Sequence, residues 1–585
     1  MSDLQVDRAV RPLIHALLIS AVLSLAACGG GGSDGGSNAP AAPTSPSTET
    51  TQRVTPMPFW ASDVPIRGNL AHLFPVPSVV GTVTGLSADE TQQVQAASIR
   101  LLIERATEKA STLPASVAVQ RRTVTGLFSD SFHTTTGATQ LPFDLTGSVV
   151  EALAPDGLGG FERIAATSQR TDGSYLINGV PEGGHWVHVN TTWVWTDSAF
   201  IDWGSDGFGR VDSVFANNPT VLTFNAGNLD AWQSTDSLAW SVPMQGTSLT
   251  VPSPSPFAVN APAAGDTALG NFSLDFGITA AGDGLFIPLL SAAKGDQAYL
   301  NQLGTAAGIN YRTLVRSLVL PATTQTDGAP SAVNSSFLDV TPSSTLKLKW
   351  DRPSFASHLA EVNPTAVGSS TALALSTSAL APGYGIPSGA FSLMEFNTFG
   401  STALDFGRVH YGNPFPSDWA QIMESYYGFT VRYMAPGATV ALPFERFLYG
   451  VDLVPTASSD PALNLKPRMT PVRSPSVNGK TLFANQLAVG TSPTFSWTAP
   501  AVGTPDRYLV TLRRLFATGP RSDSRTVGRF YTSDTSMVVP PDLMQPGEVY
   551  FLTISAISAG SPTSSPARSK LPYAFATMMS ALISP

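Results

Sequence analysis

One cysteine in 585 residues rules out any disulfide within the chain, so whatever folds here is held together by buried apolar surface. Charge is also scarce. Asp, Glu, Lys and Arg make up 13% of the sequence, against about 25% in an average globular domain. Much of the surface must then be Ser, Thr, Asn, Gln and backbone, a composition that suits an extracellular β protein better than a cytosolic enzyme. Histidine, the most frequent metal ligand, occurs only seven times. Basic residues number 33 against 42 acidic ones, and the net charge is −9. No basic stripe is left to neutralise phosphates, which excludes broad nucleic-acid binding. Long apolar runs are missing save one, residues 13–27, and its length falls short of the roughly 20 residues that cross a bilayer.

That run follows Arg8 and Arg11, ends in Leu25-Ala26-Ala27-Cys28, and is succeeded by Gly29-Gly30-Gly31-Gly32. A basic start, an apolar centre and small residues are the parts of an export signal, cut with or without lipidation, and a short buried helix is the other reading. The segment resembles the lipobox of bacterial lipoproteins. By that resemblance residues 1–27 are a signal peptide and Cys28 is the acylated, palmitate-bearing first residue of the mature chain. Gly29 in place of Asp implies the outer membrane. Residues 28–58 are Gly, Ser, Pro and Thr with almost no large side chain, hence a linker, reaching roughly 30 Å as a flexible coil. The remaining length suggests roughly three to five domains.

Globular sequence begins at about residue 64. Val79-Val80-Gly81-Thr82-Val83-Thr84 reads as a strand. Ser87-Ala88-Asp89-Glu90 has the form of a capping box before Val94, Ala97, Leu101 and Leu102, although Ile99, Leu101 and Ile103 also alternate as a strand. Further on, Thr171-Asp172-Gly173-Ser174-Tyr175-Leu176-Ile177-Asn178-Gly179-Val180-Pro181 and Gly183-Gly184-His185-Trp186-Val187-His188-Val189 are two strands punctuated by glycine. With residues 83–101 they resemble a carboxypeptidase regulatory-like domain, a prealbumin-like β-sandwich. The resemblance assigns such a domain to residues 64–200, with an insertion at about 105–145, and implies an accessory module without catalytic residues.

Trp193-Val194-Trp195 and Trp203 follow. Strand parity, with no bulge, puts Trp193 and Trp195 on the face of Val187 and Val189, away from Trp186 and His188. The tryptophans are either core or ring platforms for sugar or a partner protein. His185 and His188, three apart and hence on opposite faces of a strand, are poorly placed to share a metal. Asp202-Trp203-Gly204-Ser205-Asp206-Gly207, with Asp212 beyond, is similar to a calcium loop, but Gly204 removes one ligand and Ser213 stands where a closing glutamate belongs. Asp202, Asp206 and Asp212 are weak calcium candidates, with a surface turn as the plainer reading.

Residues 201–360 run as short apolar segments between Pro, Gly, Ser and Asn clusters, a β-rich domain. Within it Leu346-Lys347-Leu348-Lys349-Trp350 alternates wet and dry. His358-Leu359-Ala360-Glu361, with His410 beyond, has the form of a zinc site, without the surrounding βα pattern that a zinc carboxypeptidase requires. Residues 361–465 form another β-rich domain, in which Trp419, Ile422, Met423 and Tyr426 are spaced for a short helix starting at Ser417.

Thr494-Phe495-Ser496-Trp497 and Tyr508-Leu509-Val510-Thr511-Leu512 are strands. Leu543-Met544-Gln545-Pro546-Gly547-Glu548-Val549-Tyr550 then leads into Phe551-Leu552-Thr553-Ile554. These stretches resemble a fibronectin type III domain over residues 470–580, with an early Trp and a tyrosine that pins a corner. The fold class expected is mainly β, several tandem antiparallel β-sandwiches after a signal peptide and linker. No catalytic residue and no cofactor are read from the sequence. The function expected is that of a non-catalytic envelope lipoprotein, presenting β modules for adhesion, polysaccharide binding or assembly with other envelope proteins. The alternatives are a secreted peptidase or glycosidase with accessory modules, and a carbohydrate-binding protein using Trp193, Trp195 or Trp203.

Overall fold

The alternation at Leu346 to Trp350 becomes the strand Ser344–Trp350. Its leucines and tryptophan are sealed inside, while Lys347 and Lys349 reach Asp460 and Asp405. Trp350 lies edge-on to Phe355 and Phe396, with ring centroids 6.5 and 6.2 Å away. Truncating it to alanine is expected to cost about 3–5 kcal/mol, read as a lower urea midpoint. The computed structural model describes residues 82–83, 120–251, 258–277, 287–305, 311–379, 390–455 and 460–585. The chain is mainly β, 54% strand against 3% helix.

Among the described residues, strand pairing gives four two-sheet sandwiches. In the first, Arg121–Leu127 pairs antiparallel with Ser174–Pro181 and parallel with Phe200–Asp202. The facing sheet runs Phe161–Ala165, Val150–Pro155, His185–Val189, Thr192–Thr196. The second repeats this connectivity, with Val221–Gly227 between Leu269–Asp275 and Ser331–Ser336, over Thr247–Val251, Ser237–Val242, Tyr299–Thr305 and Arg312–Val319. So does the third, with Ser344–Trp350 between Leu404–Tyr411 and Ala462–Leu465, over Phe391–Phe399, Val367–Ser378, Ala420–Tyr433 and Leu442–Leu453. An inserted hairpin, Ser129–Thr134 with Gly137–Pro142, distinguishes the first copy. The fourth sandwich differs. Arg473–Val477, Thr494–Thr498 and Ser536–Val538 face Arg521–Thr532, Arg507–Thr518, Val549–Ser558 and Tyr573–Met579.

The larger sheets join edge to edge inside one 18-stranded sheet. Residues 192–194 of the first pair with 529–531 of the fourth, 448–451 of the third pair with 573–576 of the fourth, and 312–313 of the second pair with 394–395 of the third. The order in space is therefore first, fourth, third, second. An open strand edge invites foreign pairing, and here the last edge of each of the first three sheets is closed by a neighbouring sandwich. The first and second sandwiches, consecutive in sequence, stand at opposite ends of this row and still touch. The Arg210 amide donates to the Met244 carbonyl, its guanidinium pairs with Asp296 at 2.7 Å, and Thr135 meets Met244 at 3.0 Å. Contacts thus run in a closed circuit through all four.

Both faces of the joined sheet are buried in its middle. Trp186 and Trp193 share one core with Phe530, Leu448 and Trp350, whereas Ala372, Tyr426 and Tyr449 share another with Leu509, Tyr573 and Phe575. This explains the fate of the helix expected at Ser417. The residues spaced for it belong instead to the edge and body of the strand Ala420–Tyr433. A strand buried on both sides carries apolar residues on both of its faces, so some of them fall by chance into a helical spacing, as Trp419, Ile422, Met423 and Tyr426 do. Sheet membership also draws the seams near residues 209–214 and 340–344 rather than at 200 and 360. Cys28, residues 1–58 and the 87–103 segment lie outside the described residues. Of the strand expected at 79–84, Thr82–Val83 is described and lies parallel to residues 432–433.

Candidate functional site

Three glutamates stand in the third sandwich's larger sheet, one in each of the strands Phe391–Phe399, Ala420–Tyr433 and Leu442–Leu453. Glu395 and Glu424 both lie directly opposite Ala374, on its two sides, so their Cα atoms are two strand spacings apart, roughly 10 Å. Neither is exposed to solvent. Arg312 of the second sandwich donates to Glu395 at 3.1 Å, and the Tyr449 hydroxyl donates to Glu424 at 2.6 Å. Glu445, also buried, accepts from the Ser369 hydroxyl, and the bare Cα of Gly428 leaves room for that pair. Burial pushes the Glu445 carboxyl up to about 8, with Ser369 and Arg446 pulling the other way. Burial, helped by the neighbouring carboxylates, also holds the Tyr426 and Tyr449 phenols well above their ordinary range.

Sequence reasoning missed this row, because cross-strand neighbours are far apart in the chain. A signal was present in Met394-Glu395-Phe396, Met423-Glu424-Ser425 and Phe444-Glu445-Arg446, where one acid interrupts a strand that is otherwise uncharged up to that point. A buried carboxylate with a dedicated donor chiefly fixes register and sandwich position. Arg312 to Glu395 does so across the boundary between the second and third sandwiches.

The residues singled out from sequence fall elsewhere. Trp193 and Trp203 are each only 3% exposed, and Trp195 is half-buried. The Trp203 indole donates to the Tyr175 hydroxyl inside the first sandwich, 2.9 Å away. Trp193 stacks on His188 at 3.8 Å and meets Phe530 of the fourth sandwich at 6.0 Å. Two of the three proposed stacking platforms are therefore covered. The parity expectation also fails. A tight turn at Asn190 and Thr191 pairs Val189 with Thr192, so odd-numbered residues face even-numbered ones, and Trp193 and Trp195 sit beside His188 and Trp186. His185 and His188 take separate partners, the Gly183 carbonyl and Glu151, and burial lowers the pKa of both.

The calcium candidates are engaged by cations. Asp202 and Asp206 accept from Arg568 at 3.0 and 2.9 Å, and His133 meets Asp206 at 2.8 Å. Asp212 pairs with Lys294 and Arg210, which pull its carboxyl down to about 2. Arginine and lysine occupy the places where a cation would have to sit. His358 bonds Glu361 at 2.7 Å on the same short helical turn, and His410 is exposed on Leu404–Tyr411. Among the described residues no group of three or more His, Cys, Asp or Glu is placed to hold a metal ion.

No protein-family model and no curated protein matches the chain. Among solved structures, a mutant of Salmonella alpha-2-macroglobulin aligns over 74% of this chain and 27% of its own length, at 9% identity and a TM-score of 0.10. A likeness of that size carries neither fold nor function.

Proposed function

We propose that the protein is a non-catalytic lipoprotein of the bacterial outer membrane, anchored through acylated Cys28, whose joined β-sandwiches serve as a rigid platform for assembly with other envelope components. What carries the reading is the use made of reactive side chains. Glu395 with Arg312, and Asp202 and Asp206 with Arg568, are spent on holding sandwiches together. Of the roles expected, a protein-assembly platform is favoured over sugar stacking, since Trp193 and Trp203 are buried.

The family readings find support in topology. The fourth sandwich has three strands facing four, a buried Trp497 against Tyr508, and a Tyr550 hydroxyl that accepts from the Gln545 amide at 2.8 Å, as a fibronectin type III corner does. The connectivity repeated in the first three sandwiches supports prealbumin-like domains, of which sequence suggested one. A secreted hydrolase would need convergent polar groups at an accessible cleft, and the nearest candidates, His358 and Glu361, bond to each other.

Mass spectrometry of the protein from native membranes tests the anchor. The expected N-terminal peptide begins at Cys28 and carries acyl chains, and Cys28→Ser moves the protein to the soluble fraction. A free thiol, or a start beyond residue 28, would remove the membrane from the proposal.

A further inference from the structure

The junctions of the circuit are unequal. The third and fourth sandwiches share four antiparallel pairs, 448–451 with 573–576, buried on both faces. The first and fourth share three parallel pairs, 192–194 with 529–531, the packing of Trp186 and Trp193 on Phe530, and a set of polar contacts made by one loop. That loop, residues 559–572, is fixed to its own sandwich. Arg507 donates to the Ser561 and Arg568 carbonyls, and Asp506 accepts from the Ala559 and Gly560 amides. From it Arg568 reaches across to Asp202, Asp206, the Ser131 hydroxyl and the Ser205 carbonyl, all within 3.2 Å. Arg163 with Asp542 adds an exposed ion pair of small worth.

The junction between the first and second sandwiches is built differently. Asp296, with its side chain fully enclosed, accepts from Arg210 and from Gln245. Gly209 at φ +98° and Gly246 at φ +61° are pressed backbone to backbone, leaving no space for a Cβ on either. This contact is an interlock of enclosed groups.

We propose that the first sandwich is clasped to the fourth by Arg568 and can swing away from it about the Arg210 interlock while the other junctions stay shut. Opening uncovers the face of Trp186, Trp193 and His188, which closes on Phe530 across the seam at 5.7 and 6.0 Å for the two indoles. The clasp is a partly buried ionic contact, with side-chain exposures of 22% for Arg568, 25% for Asp202 and 14% for Asp206, and it rests on the forked geometry of the guanidinium more than on charge alone. The closed form dominates, and the open form is a local opening below the global unfolding limit. This goes beyond the platform role, because it gives the assembly one moving part and locates the tryptophan face behind it.

Hydrogen exchange on the full chain tests it. Amides at 192–194 and 529–531 are expected to exchange ahead of those at 448–451 and 573–576, and Arg568→Ala should speed the seam on the order of tenfold, the factor equivalent to about 1.4 kcal/mol, leaving the second ladder unchanged. Acrylamide quenching of tryptophan should rise in parallel. A single global exchange rate for both ladders, or an unchanged seam rate in the variant, overturns the clasp. Should Arg568→Ala not fold, Arg568→Lys, which keeps the charge but cannot span Asp202 and Asp206 together, gives the same readout. Faster exchange confined to the seam supports the clasp, and a seam rate unchanged in the variant overturns it.

Discussion

Replacing Glu445 by glutamine will stabilise the protein, and by more as the pH rises. The carboxyl is buried between Thr430 and Ser369, with a folded pKa of about 8 against an ordinary 4.5. A raised acid pKa means that the folded state holds its proton where the unfolded chain has released it. The contribution to stability is thus fully present below about pH 4.5 and is lost progressively as pH climbs through 8. The full loss corresponds to roughly 5 kcal/mol, from 1.36 kcal/mol for each pH unit between the two values, and about 3 kcal/mol of it is gone by pH 7. Glutamine keeps the shape and an acceptor for the Ser369 hydroxyl while discarding the ionisation. Denaturant midpoints measured from pH 5 to 9 should fall steadily for the native sequence and much less for Glu445→Gln, the curves converging at the acid end. Parallel curves would mean that Glu445 stays ionised inside the sheet, with Arg446 as its counter-charge.

What the sequence disclosed and what it hid follow from how far apart in the chain the interacting groups lie. Strand alternation is local, and it placed Ser344–Trp350 correctly. The tyrosine at the fourth sandwich's corner was legible for the same reason, since Gln545 and Tyr550 are five residues apart. Sheet order is not local. Nothing in the run of residues 442–453 announces that its free edge will be taken by residues 573–576, and nothing ties Arg568 to Asp202, 366 positions earlier. The threefold connectivity was hidden too, because it is conserved in strand pairing and not in recurrent residues. At the site, the acids read as a calcium loop sit against cations supplied from other sandwiches. The tryptophans failed on a smaller point. A two-residue turn at Asn190 reversed the parity that carried the inference.

Ending the chain after residue 469 should make the protein self-associate, and the loss of the fourth sandwich's own function will not be the reason. Two strands lose their neighbours at once, Leu442–Leu453 and Thr192–Thr196. The first is the graver loss. Tyr449 meets the rings of the removed Tyr573 and Phe575, Val451 lies opposite Tyr573, and Phe447 shares their core, each worth about 1.5–3 kcal/mol of burial. Tyr433 also loses the Ser580 carbonyl and Asn363 the Met579 carbonyl, both bonds buried. An edge that is long, apolar and newly wet is a template for pairing with another copy. Removing residues 1–209 instead exposes Arg521–Thr532, an edge that carries Arg521, Arg525 and Arg529 and repels its like. Light scattering after size exclusion should therefore find large oligomers for the C-terminal deletion and a monomer for the N-terminal one. If both deletions remain monomeric, or both aggregate alike, closure of strand edges is not what holds the four sandwiches in this order.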